Sequence, residues 1–165
     1  MLVRLVSLRF PALQGPFLVD GLGRPRYWAA VWVSFLPADL SASTLAKKLG
    51  HIEIFYQHSD ETLGAGRLDD ALADFDLESL SSALEGYFLR IRNQLPISSA
   101  SEERWQSALQ FVIETVRRLT RSNPKLDRIS DLRARLIQLE LLHARLHIGK
   151  RRRPERIRSP PSDVD

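Results

Sequence analysis

Apolar side chains recur at helical spacing in four stretches of this chain, and helix-starting or helix-breaking residues bound each stretch. In the first, Leu45, Leu49, Ile52, Phe55, Tyr56 and Leu63 share one side, while Lys47, Lys48, Glu53, Gln57 and Asp60 fall between them. Ser41 or Ser43 can cap its start by accepting from an orphan backbone amide, and Gly64 and Gly66 end it. A second pattern runs from about Leu77 to Arg92, with Leu77, Leu80, Leu84, Tyr87, Phe88 and Ile91 on one face, Asp76 as cap and Leu95-Pro96 as terminator. Ser99 and Glu102 have capping-box spacing ahead of a third, whose inner stripe is Trp105, Leu109, Val112, Ile113, Val116 and Leu119. Its last turns carry Arg117, Arg118 and Arg121, where cations suit the helix dipole. After the break at Asn123-Pro124, Ile129, Leu132, Leu136, Leu139, Leu142 and Leu146 alternate with Arg128, Arg133, Arg135 and Arg145. A tight turn between two long patterns predicts an antiparallel hairpin of the third and fourth helices.

The first forty residues are less periodic. Leu2, Val3, Leu5, Val6, Leu8 and Phe10 read as a short amino-terminal strand, and Pro11, Gly15, Pro16, Gly21, Gly23 and Pro25 then punctuate a loop. The apolar run Tyr27 to Leu36 is too short for periodicity to separate a buried helix from a strand; helix is the reading adopted, closed by Pro37. No period of 20 to 50 residues recurs, which disfavours a solenoid. The expected fold is mostly α, a helical bundle with a short amino-terminal strand and a long carboxy-terminal helical hairpin. Its expected divisions are 1–23 (strand and loop), 24–96 (helical unit), 97–148 (hairpin or linker) and 149–165 (basic, disordered tail).

At 165 residues with 44% hydrophobic content, the chain can bury one core or two small ones. The absence of cysteine excludes disulfides, thiolate metal sites and a cysteine nucleophile. The apolar start is too short to span a membrane and lacks a small-residue cleavage site, so a cytoplasmic location without membrane association is expected. No Walker loop, G-x-G-x-x-G, H-E-x-x-H, G-x-S-x-G or C-x-x-C motif is present, so no catalytic residue, cofactor or metal is expected. His143 and His147 stand one helical turn apart without a third ligand, and read as ordinary amphipathic histidines. Asp69, Asp70, Asp74 and Asp76 lack the glycine and terminal glutamate of an EF-hand loop, and read as cap and surface residues.

Charge is what gives this helical pattern a direction. Residues 1 to 98 hold 9 Lys/Arg against 11 Asp/Glu, and residues 99 to 165 hold 15 against 9. A basic excess confined to one end fits a polyanion, although a solvated terminus is the plain alternative. Lys150, Arg151, Arg152 and Arg153 are candidate phosphate contacts. Thr44, Lys47 and Lys48, near the amino end of the first long helix, are candidate DNA readers against the alternative of a solvated face. Arg24, Arg26, Arg90 and Arg92 can add phosphate contacts if the bundle gathers them on one side.

Gly23-Arg24-Pro25-Arg26 with the aromatic run after it, Ser43-Thr44-Leu45 with Leu49, Ile52, Phe55 and Tyr56, and Leu68-Asp69-Asp70-Ala71-Leu72 together resemble, by their order and spacing, the amino-terminal core-binding region of tyrosine recombinases, the phage-type site-specific integrases. The DNA-binding role of 24–96 is what this resemblance implies. Arg104-Trp105, Phe111-Val112, Arg117-Arg118-Leu119 and the run Arg153 to Pro160 are similar to the linker that leads to the catalytic domain. The chain departs from the family pattern at Pro37 and at Pro160-Pro161. The resemblance implies a SAM-like helical domain that clamps duplex DNA, with other recombinase protomers as further partners and roles in DNA recombination and integration. It also implies that the catalytic residues belong to a separate carboxy-terminal domain, so Tyr27, Tyr56 and Tyr87 carry no catalytic role. The alternative function is a protein-interaction module in which the Leu/Arg-rich helix 126–148 pairs with a partner or with itself. A stand-alone enzyme ranks third.

Overall fold

The longest uninterrupted apolar faces in the sequence become the helices that enclose the core. The computed structural model describes residues 16–94 and 98–122, together with the single positions Ala134, Ile137, Gln138 and Leu141. Its helices are α1 (Tyr27–Val33), α2 (Ala42–Thr62), α3 (Arg67–Ala73), α4 (Leu77–Asn93) and α5 (Ser99–Ser122). The protein is mostly helical, and the β-type feature among the described residues is an isolated antiparallel bridge between Val19 and Pro25. The expected amino-terminal strand, the fourth helix as a whole and the basic tail lie outside the described residues.

Helix starts follow local chemistry. Ser41 accepts from the Thr44 amide at 3.2 Å and begins α2, and Asp76 accepts from the Ser79 amide at 3.1 Å and begins α4. The capping box of α5 sits one residue earlier than the spacing suggested. Ser98 Oγ accepts from the Ser101 amide at 3.3 Å, and Ser101 Oγ accepts from the Ser98 amide at 3.4 Å. A serine replaces the usual Glu at the reciprocal position, and Glu102 instead accepts from Gln106 at 2.9 Å. Between α2 and α3 the chain turns through Gly66, which caps α3 in the left-handed region (φ +76°), where a side chain would be strained.

α3 has only seven residues, yet it contributes Leu68, Ala71 and Leu72 to the core. Phe75 leaves it with φ 55°, an uncommon conformation for a non-glycine residue, and packs its half-buried ring against the core.

α5 is the central element, packed against α1, α2, α3 and α4. Trp105, Ala108, Phe111, Val112 and Val116 are fully buried, and Leu109 and Ile113 nearly so. Aromatic rings cross the seams: Phe88 of α4 meets Trp105 at 5.1 Å, while Trp32 of α1 and Tyr56 of α2 each lie 5.8 Å from Phe111. α2 and α5 run parallel, since Lys47 pairs with Glu103 and, one turn further along both, His51 Nδ1 meets Ser107 Oγ at 3.1 Å. The boundary expected at 96–97 is therefore corrected. Residues Leu18 to Ile91 and Trp105 to Val116 form one hydrophobic cluster, so α5 completes the core of 24–96 and is not a linker beside it.

Candidate functional site

The densest polar constellation is buried and built around Arg26. The Val19–Pro25 bridge and a turn closed by Asp20, whose carboxylate accepts from the Leu22 and Arg24 amides at 2.9 Å, deliver Arg26 to the start of α1. Its Nη2 donates to Asp60 Oδ2 at 2.9 Å, its Nε lies 3.7 Å from Glu53 Oε2, and its guanidinium stacks 4.5 Å above the Tyr56 ring. The Tyr56 hydroxyl donates to Asp69 Oδ1 at 2.5 Å, and the Trp28 indole donates to the Asp69 carbonyl at 3.1 Å. Burial raises the Glu53 and Asp69 carboxyls above the usual carboxylate range, and raises the Tyr56 phenol well above its own. The cation thus ties the loop and the start of α1 to α2, and Tyr56 and Trp28 carry the network on to Asp69 of α3. The assignment of Arg26 to DNA is corrected, because a side chain only 7% exposed and already paired with two acids is out of reach of a phosphate.

The other described candidates are not gathered into one cationic surface. Arg24 reaches back to Asp20 at 2.8 Å. Thr44 uses its hydroxyl within the α2 cap, 2.8 Å from Ser41 Oγ. Lys47 is paired with Glu103, and Arg90 with Glu61 at 2.7 Å. Glu61 lies 14 residues along α2 from Lys47, about 21 Å at 1.5 Å per residue. Lys48 is half-buried and Arg92 exposed; neither makes an ion pair with another described residue. Lys150, Arg151, Arg152 and Arg153 lie outside the described residues, as does the His143/His147 pair.

The folded body is in fact acidic: residues 16–94 and 98–122 carry 11 Lys/Arg and 14 Asp/Glu. The change of sign falls inside α5. Residues 1–116 hold 10 Lys/Arg and 14 Asp/Glu, whereas 117–165 hold 14 and 6. Arg117, Arg118 and Arg121 are exposed at this transition, and Arg118 stacks 4.6 Å over Phe35. Arg117, Arg118 and Arg121 suit the α5 dipole and also open the basic half, and the running charge along the sequence is the signal that places the change of sign at Arg117.

Chemistry of other kinds finds little footing. No cluster of three His, Asp or Glu that could hold a metal occurs among the described residues. A cleft of about 130 Å³ between α3 and the start of α4, lined by Arg67, Asp70, Asp74, Asp76 and Ser79, is below the size of typical ligand pockets, and a larger groove of about 410 Å³ runs along α5 beside Gln106, Leu109, Gln110, Ile113, Glu114 and Arg117. No helix among the described residues is long and apolar enough to cross a membrane.

Two histidines make stability depend on pH. Burial pushes both His51 and His58 below their ordinary value of 6.5; for His58 the adjacent Arg90 adds to the shift and Glu61 opposes it. His58 Nδ1 lies 3.5 Å from Arg90 Nη1, its ring packs on Tyr87, and its Nε2 faces Gly86 with no hydrogen-bond partner among the described residues. Below pH 6.5 the unfolded chain takes up protons that the folded chain refuses, so stability is fully present above that pH and is lost as pH falls. Thermal melts are expected to shift downward between pH 7.5 and 5.5, and His58→Gln to flatten that slope. A profile that is level in wild type counts against it. Glu53 and Asp69 act with the opposite sign at lower pH, since their raised folded values favour the protonated folded state.

No family model matches the chain, and no curated protein and no solved structure matches it at a significant level.

Proposed function

We propose that this protein binds duplex DNA through its basic carboxy-terminal half, with the acidic helical body as a rigid scaffold. The observation that carries the reading is the charge division at Arg117, with 14 Lys/Arg against 6 Asp/Glu beyond it and an acidic excess before it. Phosphate contacts need cations that no carboxylate has already claimed, and Arg24, Arg26, Lys47 and Arg90 are all claimed. Lys48, Arg92 and Arg121 are the described cations most suited to assist the 150–153 run. In this reading the chain is the non-catalytic, DNA-clamping portion of a tyrosine recombinase, a parentage supported by the order of its residue motifs.

The test is a DNA titration at several salt concentrations. Alanine at Lys150, Arg151, Arg152 and Arg153 together is expected to make the slope of log affinity against log salt shallower by about 3 to 4, near 0.9 for each phosphate that is no longer neutralised. Alanine at Lys47 leaves the slope unchanged. Salt-independent affinity, or a slope indifferent to the four substitutions, defeats the reading.

A second reading, a helical pairing module, is favoured by a separate observation. Ala134, Ile137 and Leu141 are helical and exposed, with Ile137 and Leu141 retaining 56% and 52% of their surface. A solvated helix face ordinarily carries polar residues at such positions.

A further inference from the structure

His58, Glu61 and Arg90 stand where the last turns of α2 and α4 meet, and together they leave a proton one place to go. Arg90 Nη1 lies 2.7 Å from Glu61 Oε2 and 3.5 Å from His58 Nδ1. A guanidinium only donates, so Nδ1 is the acceptor in that contact and the neutral ring carries its hydrogen on Nε2. Nε2 is directed at Gly86, where an added Cβ would stand only 3.2 Å away, and it has no hydrogen-bond partner among the described residues. Nδ1 is thus the ring's site of protonation, and it faces a cation.

We infer that these three side chains form a proton-operated latch. With a neutral imidazole, Arg90 bridges the ends of α2 and α4; one proton on Nδ1 passes Glu61 to the imidazolium and releases Arg90 to solvent.

Burial decides which cation keeps the acid. His58 is 6% exposed and its ring centroid lies 5.5 Å from that of Tyr87, so an imidazolium without a carboxylate would be desolvated there. The Arg90 and Glu61 side chains are far more open, and a long guanidinium arm that turns to water gives up only a weak surface pair. The charges bearing on the ring are Glu61 from α2 and Arg90 from α4. α4 also supplies the Tyr87 phenol, which burial pushes up to about 12 and so keeps neutral. α3 and α5 add no charge to this set among the described residues. The core contacts of Leu84, Phe88 and Ile91 do not pass through the latch, so α4 stays packed when it opens. Arg90 then joins Arg92 as a cation that no described acid claims, and this holds whether or not the chain binds DNA.

The test is an NMR pH series on the full chain, from 7.5 to 4.5, that follows the His58 ring nitrogens and the Arg90 Nε–H group. At neutral pH the ring is expected in its Nε2–H form, with the Arg90 signal set apart from those of exposed arginines. Both should then move with one midpoint, Arg90 ending at the exposed position while the Trp28 and Trp32 indole signals stay folded. Arg90→Ala removes the facing cation and should raise the proton affinity of His58 roughly tenfold. Glu61→Gln removes the acid that the imidazolium receives and should lower it. In His58→Gln the Arg90 signal should hold its place until Glu61 itself titrates. An Nδ1–H ring at neutral pH overturns the inference, as does a ring still neutral at the acid end or an Arg90 signal that ignores the His58 titration. A His58 midpoint indifferent to Arg90→Ala overturns it as well. So does simultaneous loss of the Arg90 and indole signals, which would mean global unfolding in place of a local release.

Discussion

Arg26→Ala is expected to lower the melting temperature by roughly 15 to 30 °C, one of the two largest losses among single substitutions in this protein. Arg26 is 7% and Glu53 5% exposed, Glu53 and Asp60 flank the guanidinium, and Tyr56, on which it stacks, donates to Asp69. Removing the cation leaves Glu53 buried without its counter-charge and strips the Tyr56 ring of the stacked guanidinium. Breaking a buried pair in this way costs about 3–5 kcal/mol. A body of this size shifts by about 4–8 °C for each kcal/mol. Two companion variants separate charge from shape. Arg26→Met with Glu53→Gln restores neutrality and should recover part of the loss, because a buried pair is often replaceable when both charges go together. Arg26→Lys keeps the charge but loses the planar stack and the fork geometry, so it should fall between wild type and alanine. Circular dichroism melts at neutral pH decide it; an Arg26→Ala protein within a few degrees of wild type would mean that water already screens Glu53 and Asp60.

What the sequence disclosed, and what it hid, follows from the range of each interaction. Periodicity and capping act within one or two turns, so α2 and α4 were legible from their apolar faces and from Ser41 and Asp76, almost to the residue. The start of α5 was displaced by one because Ser98 and Ser99 are locally equivalent candidates, and only the reciprocal bonds with Ser101 separate them. α3, with two turns, offers too few positions for a period to emerge. The candidate site fared worse because ion pairing is tertiary. A Gly-Arg-Pro-Arg string looks like an exposed basic loop, yet the acids that claim Arg26 lie 27 and 34 residues ahead. Lys47 finds Glu103 across 56 residues, and Asp69, which reads as a surface acid, is the acceptor for Tyr56. Net charge along the chain needs no knowledge of pairing, which is why the basic carboxy-terminal half remains the firmest functional signal.

Trp105→Ala is expected to unfold the helical body in a single transition, including α2 and α3, which lie far from position 105 in sequence. Trp105 is fully buried where α4 meets α5, its ring edge-on to Phe88. Truncation leaves a cavity that costs about 3–5 kcal/mol, comparable to the Arg26 loss. The size of the effect matters less than its reach. If residues 24–96 held a core of their own, they would stay folded while α5 came loose. Two indole protons report on this directly. The Trp28 indole donates to the Asp69 carbonyl and senses the α1–α3 contact, whereas the Trp32 indole donates to Glu114 Oε2 at 2.9 Å and senses the α1–α5 contact. In wild type and in Trp105→Ala, both indole resonances should collapse to their unfolded positions at the same temperature, with that temperature much lower in the variant. A Trp28 resonance that survives after the Trp32 resonance has collapsed would show two separable cores. The amino-terminal helices would then form a unit without α5, and the basic half would hang from a tether instead of growing out of the central helix of the fold.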